Sequence, residues 1–206
     1  MENEERVLIK NILQAEWDMF QRVRNVGGRR ASCQEDSKTF DIMRSSQFKS
    51  WSKDALESYL NDLVEAKKEG RNLLTEKYAR MMASTSPSEY ANIKHSLPPI
   101  NPDVPGLIEK VLEIVHEWET EVLKKYPKVF ERGRFLESFD DSPERTSKMT
   151  YLKGELLTFS LKTLRLYYNS LMGMKSKNIN GSEVILEEMV KSYGYKSIAH
   201  ANKVLD

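Results

Sequence analysis

The chain has 206 residues, and its 32 basic and 31 acidic residues give a formal net charge of +1. This balance excludes the strongly basic composition of a nucleic-acid-binding protein and gives no reason to expect a partner membrane. No apolar run approaches the roughly 18 residues of a membrane span. With a single cysteine, Cys33, there is no internal disulfide, so a cytoplasmic protein is expected.

The first predicted helix covers residues 4–26 and carries an acidic residue inside its apolar stripe. Helical spacing of about 100° per residue places Glu16 at the centre of that stripe. A surface helix keeps its acids on the opposite side, so Glu16 is expected to be buried and to need a partner. The stripe itself is formed by Ile9, Ile12, Leu13, Phe20 and Val23.

A loop follows at Gly27-Gly28, and a second helix is predicted from about Asp36 to Trp51. Arg44 and Gln47 share the apolar face of this helix with Phe40, Met43, Phe48 and Trp51. A guanidinium can satisfy a carboxylate with two hydrogen bonds. The sequence therefore predicts a buried pair between Glu16 and Arg44.

The next predicted element is one continuous helix over residues 53–84, with Ser52 as its N-cap. Its apolar phase continues across Gly70, which suggests that another backbone or a ligand approaches this glycine. Lys77 and Tyr78 are predicted to point into the protein. Alternating charges on an exposed face are the simplest interpretation of Glu76 and Arg80.

A proline-rich connection over residues 85–105, with one short helix at 88–95, leads to a helix that ends near residue 125. The predicted apolar stripe of this helix is formed by Ile108, Val111, Val115, Trp118 and Val122. A loop over residues 127–141 is expected to be pinned by Phe130, Phe135, Leu136 and Phe139. The last long helix is predicted over residues 142–174, with Glu155 beside its inner face, and two short helices follow. No segment has the alternation of a strand, so the predicted fold is a single all-α domain, a bundle of four long helices with additional short helices.

Polar residues in core positions predict a polar pocket between the helices that binds, and in a stronger form of the hypothesis transforms, a small polar or anionic metabolite. Glu16 is the candidate catalytic residue. Arg29 and Cys33 lie in the loop that begins at Gly27-Gly28, and this loop is expected to line the pocket. Its backbone N–H groups favour the binding of an anion. The candidate ligand-binding residues are Arg44, Gln47, Lys77, Tyr78, Glu155, Gly27, Gly28, Arg29 and Cys33.

Three other interpretations remain open for these residues. The same polar side chains form a satisfied network that only fixes helix register. A second alternative is a non-enzymatic helical module that binds a partner protein through an exposed apolar face. A weaker one is a carboxylate metalloprotein in which Glu16, Glu119 and Glu155 meet in the core. The one Glu-x-x-His pair, Glu113 and His116, is predicted to point to solvent, so no histidine accompanies these acids. The sequence identifies neither a cofactor nor an oligomeric state.

Four stretches carry a resemblance to a known family. They are EWDMFQRVRNVGGRRASCQEDSKTFDIMRSSQFKSW, EKYARMM, YLKGELLTFSLKTLRLYY and the terminal YGYKSIAHAN. Together they resemble a bacterial family catalogued as domain of unknown function 4125, over residues 16–202. The resemblance implies a cytoplasmic bacterial protein of one domain and implies no catalytic residues.

Overall fold

The computed structural model describes residues 2–24 and 30–205, and no strand occurs in these two ranges, which confirms the all-α class. None of the helices in this part of the chain is long and apolar enough to cross a bilayer. The helices are α1 (Glu2–Phe20), α2 (Ser37–Phe48), α3 (Lys53–Lys68), α4 (Leu73–Thr85), α5 (Pro87–Ile93), α6 (Val104–Lys125), α7 (Pro127–Glu131), α8 (Lys148–Leu156), α9 (Leu161–Lys175), α10 (Gly181–Ser192) and α11 (Ile198–Val204).

The main core lies among α1, α3, α6 and α9, with α2, α4 and α8 closing its remaining sides. The predicted stripe of α6 is confirmed, because Ile108, Val111, Val115, Trp118 and Val122 are all buried. A second apolar cluster joins the end of α6 to α7, α10 and α11, and Met149 packs against both clusters. The helix α6 therefore supplies side chains to both clusters.

The first helix ends at Phe20 rather than near Val26, because side chains from elsewhere bind its last carbonyl groups. Asn72 donates from Nδ2 to the carbonyl of Met19 at 2.8 Å. Gln34 donates from Nε2 to the carbonyls of Phe20 and Val23 at 2.8 and 3.0 Å. These bonds replace the intrahelical donors that continuation of α1 would have provided.

The predicted single helix over residues 53–84 is wrong, because the chain turns at Gly70 between α3 and α4. Gly70 has a φ of 71°, a left-handed conformation that other residues rarely adopt. The amide of Arg71 closes the turn on the carbonyl of Ala66 at 2.8 Å, and Asn72 then caps α4. A methyl group at Gly70 would meet no atom within 4 Å, so no other backbone among the described residues approaches it.

The predicted helix over residues 142–174 is also wrong, since it is divided into α8 and α9. Ser147 is the N-cap of α8, and the carboxylate of Asp141 accepts a hydrogen bond from its amide at 2.6 Å. Ser160 caps α9 while its amide donates to Asp62 of α3 at 2.9 Å. The predicted bundle of four long helices is therefore not confirmed.

The connection over residues 127–141 differs from the predicted loop in two respects. Its first part forms the short helix α7, which buries Phe130, and Leu136 is buried as expected. Phe139 does not pin the segment to the protein, because 80% of its surface is exposed.

Candidate functional site

Glu16 is completely buried in α1, and Arg44 of α2 is its main partner. The guanidinium donates from Nε to Oε2 at 2.8 Å and from Nη2 to Oε1 at 2.5 Å. The hydroxyl of Tyr59 on α3 donates a third hydrogen bond to Oε1 at 2.7 Å. Both carboxylate oxygens are therefore satisfied, in the bidentate pairing that the sequence predicts.

Glu155 of α8 is a second buried carboxylate on the same arginine. Arg44 donates to it from Nη2 at 3.0 Å and from Nη1 at 3.2 Å, and Lys77 of α4 donates from Nζ at 2.5 Å. The amide of Gln47 donates to it at 3.3 Å and accepts a hydrogen bond from Arg44 at 2.6 Å. Two buried acids and two buried bases thus form one neutral network that joins four helices.

Gly154 brings α8 close enough to α4 for Glu155 to reach Lys77. A Cβ atom at position 154 would lie 2.6 Å from Cγ of Met81 and 3.0 Å from the carbonyl oxygen of Lys77. Contacts that short do not occur at ordinary side chains, so the close packing of these two helices depends on the glycine.

Glu155 and Arg44 keep their charges despite burial. Burial alone would raise the pKa of Glu155, but the charges and hydrogen bonds of Arg44 and Lys77 hold it at about 2. Burial alone would lower the pKa of Arg44, but Glu155 and Glu16 raise it well above its ordinary value. Inside the protein, the carboxylate of Glu155 is therefore an anion and the guanidinium of Arg44 is a cation at neutral pH.

The network reaches the protein surface at Tyr151 of α8. Lys77 places Nζ 3.5 Å from the centre of the Tyr151 ring, and the guanidinium carbon of the exposed Arg134 lies 4.6 Å from the same centre. Tyr151 is half-buried, as is the neighbouring Tyr78, and Cys33 is exposed in a short helical turn beside them. Tyr151 is therefore a partly exposed side chain in direct contact with the buried Lys77, as Gln47 is with Arg44 and Glu155.

Two neighbouring phenols have pKa values shifted in opposite directions. Burial, Tyr151 and Cys33 raise the pKa of Tyr78. Burial alone would also raise the pKa of Tyr151, but Lys77 and Arg44 lower it below the ordinary 10.0. Tyr78 keeps its proton over a wide pH range, and Tyr151 is the phenol that ionises more easily.

Most of the predicted site residues lie together. Glu16, Arg44, Gln47, Lys77 and Glu155 share direct hydrogen bonds, and Tyr78 and Cys33 lie beside Tyr151 at the outer end. The remaining three, Gly27, Gly28 and Arg29, lie outside the described residues.

Glu76 and Arg80 do not lie on an exposed face, as the charge pattern suggested. Arg71 donates from Nε and Nη2 to the buried carboxylate of Glu76 at 2.8 Å each, and Arg80 donates to the carbonyl of Pro98 at 2.8 Å. Their partners come from the turn after Gly70 and from the proline-rich connection, which a helical wheel does not include.

Sequence reasoning missed Tyr59, Tyr151, Arg134 and Gly154. A signal existed for Tyr151, because it lies four residues before Glu155 and so shares its face of the helix. Tyr59 likewise shares a face with Leu56 and Leu63 of α3. No local pattern marks Arg134, which comes from an irregular segment.

A separate groove of 860 Å³ lies between α1 and α2, and none of the ion-network residues lines it. Phe48 separates the two features, since its ring lines the groove and also lies 4.7 Å from the guanidinium carbon of Arg44. The lining residues that are apolar are Ile9, Leu13, Trp17, Phe40, Phe48, Trp51 and Leu56.

Within residues 2–24 and 30–205, no group of three or more His, Cys, Asp or Glu residues is placed to hold a metal ion. The three acids named for a metal site have other partners. Glu16 and Glu155 are bound to Arg44, and Glu119 accepts a hydrogen bond from Lys148 at 2.6 Å.

Comparison with known proteins gives one match. The family model described as "Protein of unknown function (DUF4125)" matches residues 6–203. No curated protein and no solved structure matches the chain. Since the family model spans nearly the whole sequence, the chain belongs to the DUF4125 family.

Proposed function

We propose that this protein binds a small anionic molecule around Tyr151 and Arg134, where the buried network meets the surface, and that the Tyr151 hydroxyl exchanges a hydrogen bond or proton with it. The observation that carries the proposal is a half-buried phenol whose ring lies against two cations, Lys77 and Arg134. An anionic ligand at this place belongs to the class of small polar or anionic metabolites that the sequence favours.

Charge balance supports an anion as the ligand. Arg44 and Lys77 are neutralised by Glu16 and Glu155, which leaves Arg134 as the additional charge. Arg134 has no ion pair among the described residues, and its recorded hydrogen bond goes to the carbonyl of Thr146 at 3.1 Å. Its remaining N–H groups can bind a carboxylate or a phosphate in the planar geometry that guanidinium favours.

The two tyrosines support a role in proton transfer. Adjacent titratable groups with pKa values pushed apart are typical of acid–base pairs, because one group holds its proton while the other exchanges it. Tyr151 is the exchanging group in this proposal, and Tyr78 supplies a neutral neighbour.

Glu16, the candidate catalytic residue, takes a different role here. Its carboxylate is fully buried and bound by Arg44 and Tyr59, so a ligand at the surface cannot touch it. Glu16 and Glu155 act as positioning residues that hold Arg44 and Lys77 near Tyr151. The location in a bacterial cytoplasm remains a prediction.

Anion binding is tested with inorganic phosphate and acetate as probes, measured by thermal unfolding and by NMR shifts of the Tyr151 region. A ligand at ten times its Kd adds about 1.4 kcal/mol of stability. We expect Arg134→Gln to abolish this gain. Arg145→Gln is the matched control, because Arg145 is also an exposed arginine stacked on a ring, 4.8 Å from the centre of Phe135. Equal losses in both variants would contradict the proposal.

The ionisation of Tyr151 is tested without any ligand. Alkaline titration of the nine tyrosines, followed by tyrosinate absorbance, is expected to include one step below pH 10.0 that is absent from Tyr151→Phe. The positive charge of Lys77 stabilises the phenolate of Tyr151, and for this reason we expect its titration step at a lower pH than that of an ordinary tyrosine. Identical curves for the two proteins would remove the proton-transfer role.

A further inference from the structure

The groove between α1 and α2 has the size of a bound helix. Its lining extends along α1 from Glu5 to Trp17, which at 1.5 Å per residue is a length of about 18 Å. The opposite wall extends along α2 from Ser37 to Lys49. Dividing the volume of 860 Å³ by this length gives a mean cross-section of about 48 Å².

An α-helix with side chains has a diameter of about 10–12 Å, and half of its cross-section is roughly 40–55 Å². The groove therefore has the dimensions to hold a helix of about three turns embedded to half its depth. Its floor is aromatic and aliphatic, and large aromatic side chains supply most of the energy in helix-in-groove recognition. Trp17 and Phe40 are half-buried there, so part of each ring is accessible to a ligand.

The rim of the groove is charged, and its α1 edge is basic. Arg6 and Lys10 are exposed, lie four residues apart on one side of α1, and have no ion pair within the described chain. Lys38 adds a third unpaired cation on the α2 edge. Two rim acids, Glu5 and Asp41, are unpaired too, so the excess charge of the unpaired rim groups is positive. The remaining two rim charges, Lys49 and Glu188, pair with each other at 2.9 Å.

We propose that this groove is the docking site for an amphipathic helix of a partner protein, with its apolar face on Leu13, Trp17 and Phe40 and an acidic edge against Arg6 and Lys10. Cations four residues apart on α1 match acids three or four residues apart on the partner. This surface is independent of Tyr151 and Arg134, so either proposal can fail without the other.

The probe is a synthetic helical peptide of about 14 residues. It has leucines at helical spacing i, i+3, i+4 and i+7 and glutamates along one edge. Two of the three tryptophans, Trp17 and Trp51, line the groove, and Trp118 does not. We expect saturable binding by calorimetry, with a change in tryptophan fluorescence that is smaller in Trp17→Phe.

The charge requirement is tested with Arg6→Glu/Lys10→Glu, two exposed positions that can change without loss of folding. We expect this variant to bind the glutamate peptide about tenfold more weakly and to prefer the same peptide with lysines in place of the glutamates. The control is Lys110→Glu/Lys162→Glu, which changes the net charge equally at exposed positions on α6 and α9. It should bind as the wild type does.

Other outcomes would overturn the proposal. Equal binding of the glutamate and lysine peptides would remove the acidic edge. Tight binding of laurate together with no binding of the peptide would make the groove a site for a lipid-like molecule. Sedimentation as a dimer that Arg6→Glu/Lys10→Glu dissociates would assign the groove to a second copy of the chain. Absence of saturable binding to any probe would leave no docking site there.

Discussion

Arg44 forms hydrogen bonds with two buried carboxylates at once, and for this reason position 44 requires a guanidinium. Its planar group presents Nε and Nη2 to Glu16 and both Nη atoms to Glu155. A lysine ammonium has no such fork and could not serve both acids in one plane. At this scale, polar side chains inside the protein depend on one another, because each is tolerable only with its partner present.

Removal of Arg44 is expected to be far more harmful than removal of the whole charge pair. Arg44→Met leaves both acids buried with an incomplete set of partners, and breaking a buried ion pair in this way costs about 3–5 kcal/mol of unfolding free energy. In the double variant Arg44→Met/Glu16→Gln, the glutamine is neutral and still accepts the hydrogen bond of Tyr59. The double variant should therefore recover part of the loss, as measured by urea denaturation. Additive losses would show that the two residues do not interact energetically.

At the scale of helices, apolar periodicity shows which side of a segment faces the core but not whether its axis continues. Leu63 and Leu74 keep one helical phase although a turn separates them, because α3 and α4 both pack on the main core. The turn itself is set by one residue, Gly70, whose backbone adopts a positive φ.

Two glycine-to-alanine substitutions are expected to have opposite effects. Gly70→Ala should destabilise the protein by roughly 1–2 kcal/mol, because the strain of a left-handed backbone falls on the new Cβ and no clash contributes. Gly173→Ala, in α9 and with open space around it, should stabilise it by about 0.5–1 kcal/mol through helix propensity. Thermal unfolding of both proteins measures the two signs. A stabilised Gly70→Ala protein would be inconsistent with the turn.

At the scale of the whole molecule, two apolar clusters are connected by one helix. The helix α6 contributes Val111 and Trp118 to the first cluster and Val122 to the second. The single domain stays a prediction. The four charged groups of the buried network lie on four different helices, so loss of their charge balance affects the whole fold.

Acid is expected to destabilise the molecule through Glu155. Its pKa is about 2 in the folded protein against an ordinary 4.5, so its contribution is complete above pH 4.5 and is lost as the pH falls toward 2. The shift corresponds to about 3 kcal/mol. The stability difference between wild type and Glu155→Gln should shrink over this interval in denaturation experiments at a series of pH values. Glu109→Gln, at an exposed ion pair with Lys153, is the control and should leave the profile unchanged. A constant difference would contradict the prediction.

The sequence alone determined the helical class, the stripe of α6 and the pairing of Glu16 with Arg44. These follow from local spacing, because an acid inside an apolar stripe has to find a cation on a neighbouring stripe. Glu155 and Lys77 were also identified as polar residues of the interior. Only the tertiary structure placed Lys77 and Arg134 against the ring of Tyr151, ended α1 at Phe20 through Gln34, and formed the groove above Phe48. Those features depend on contacts between segments distant in sequence, and the spacing of residues within one helix carries no information about them.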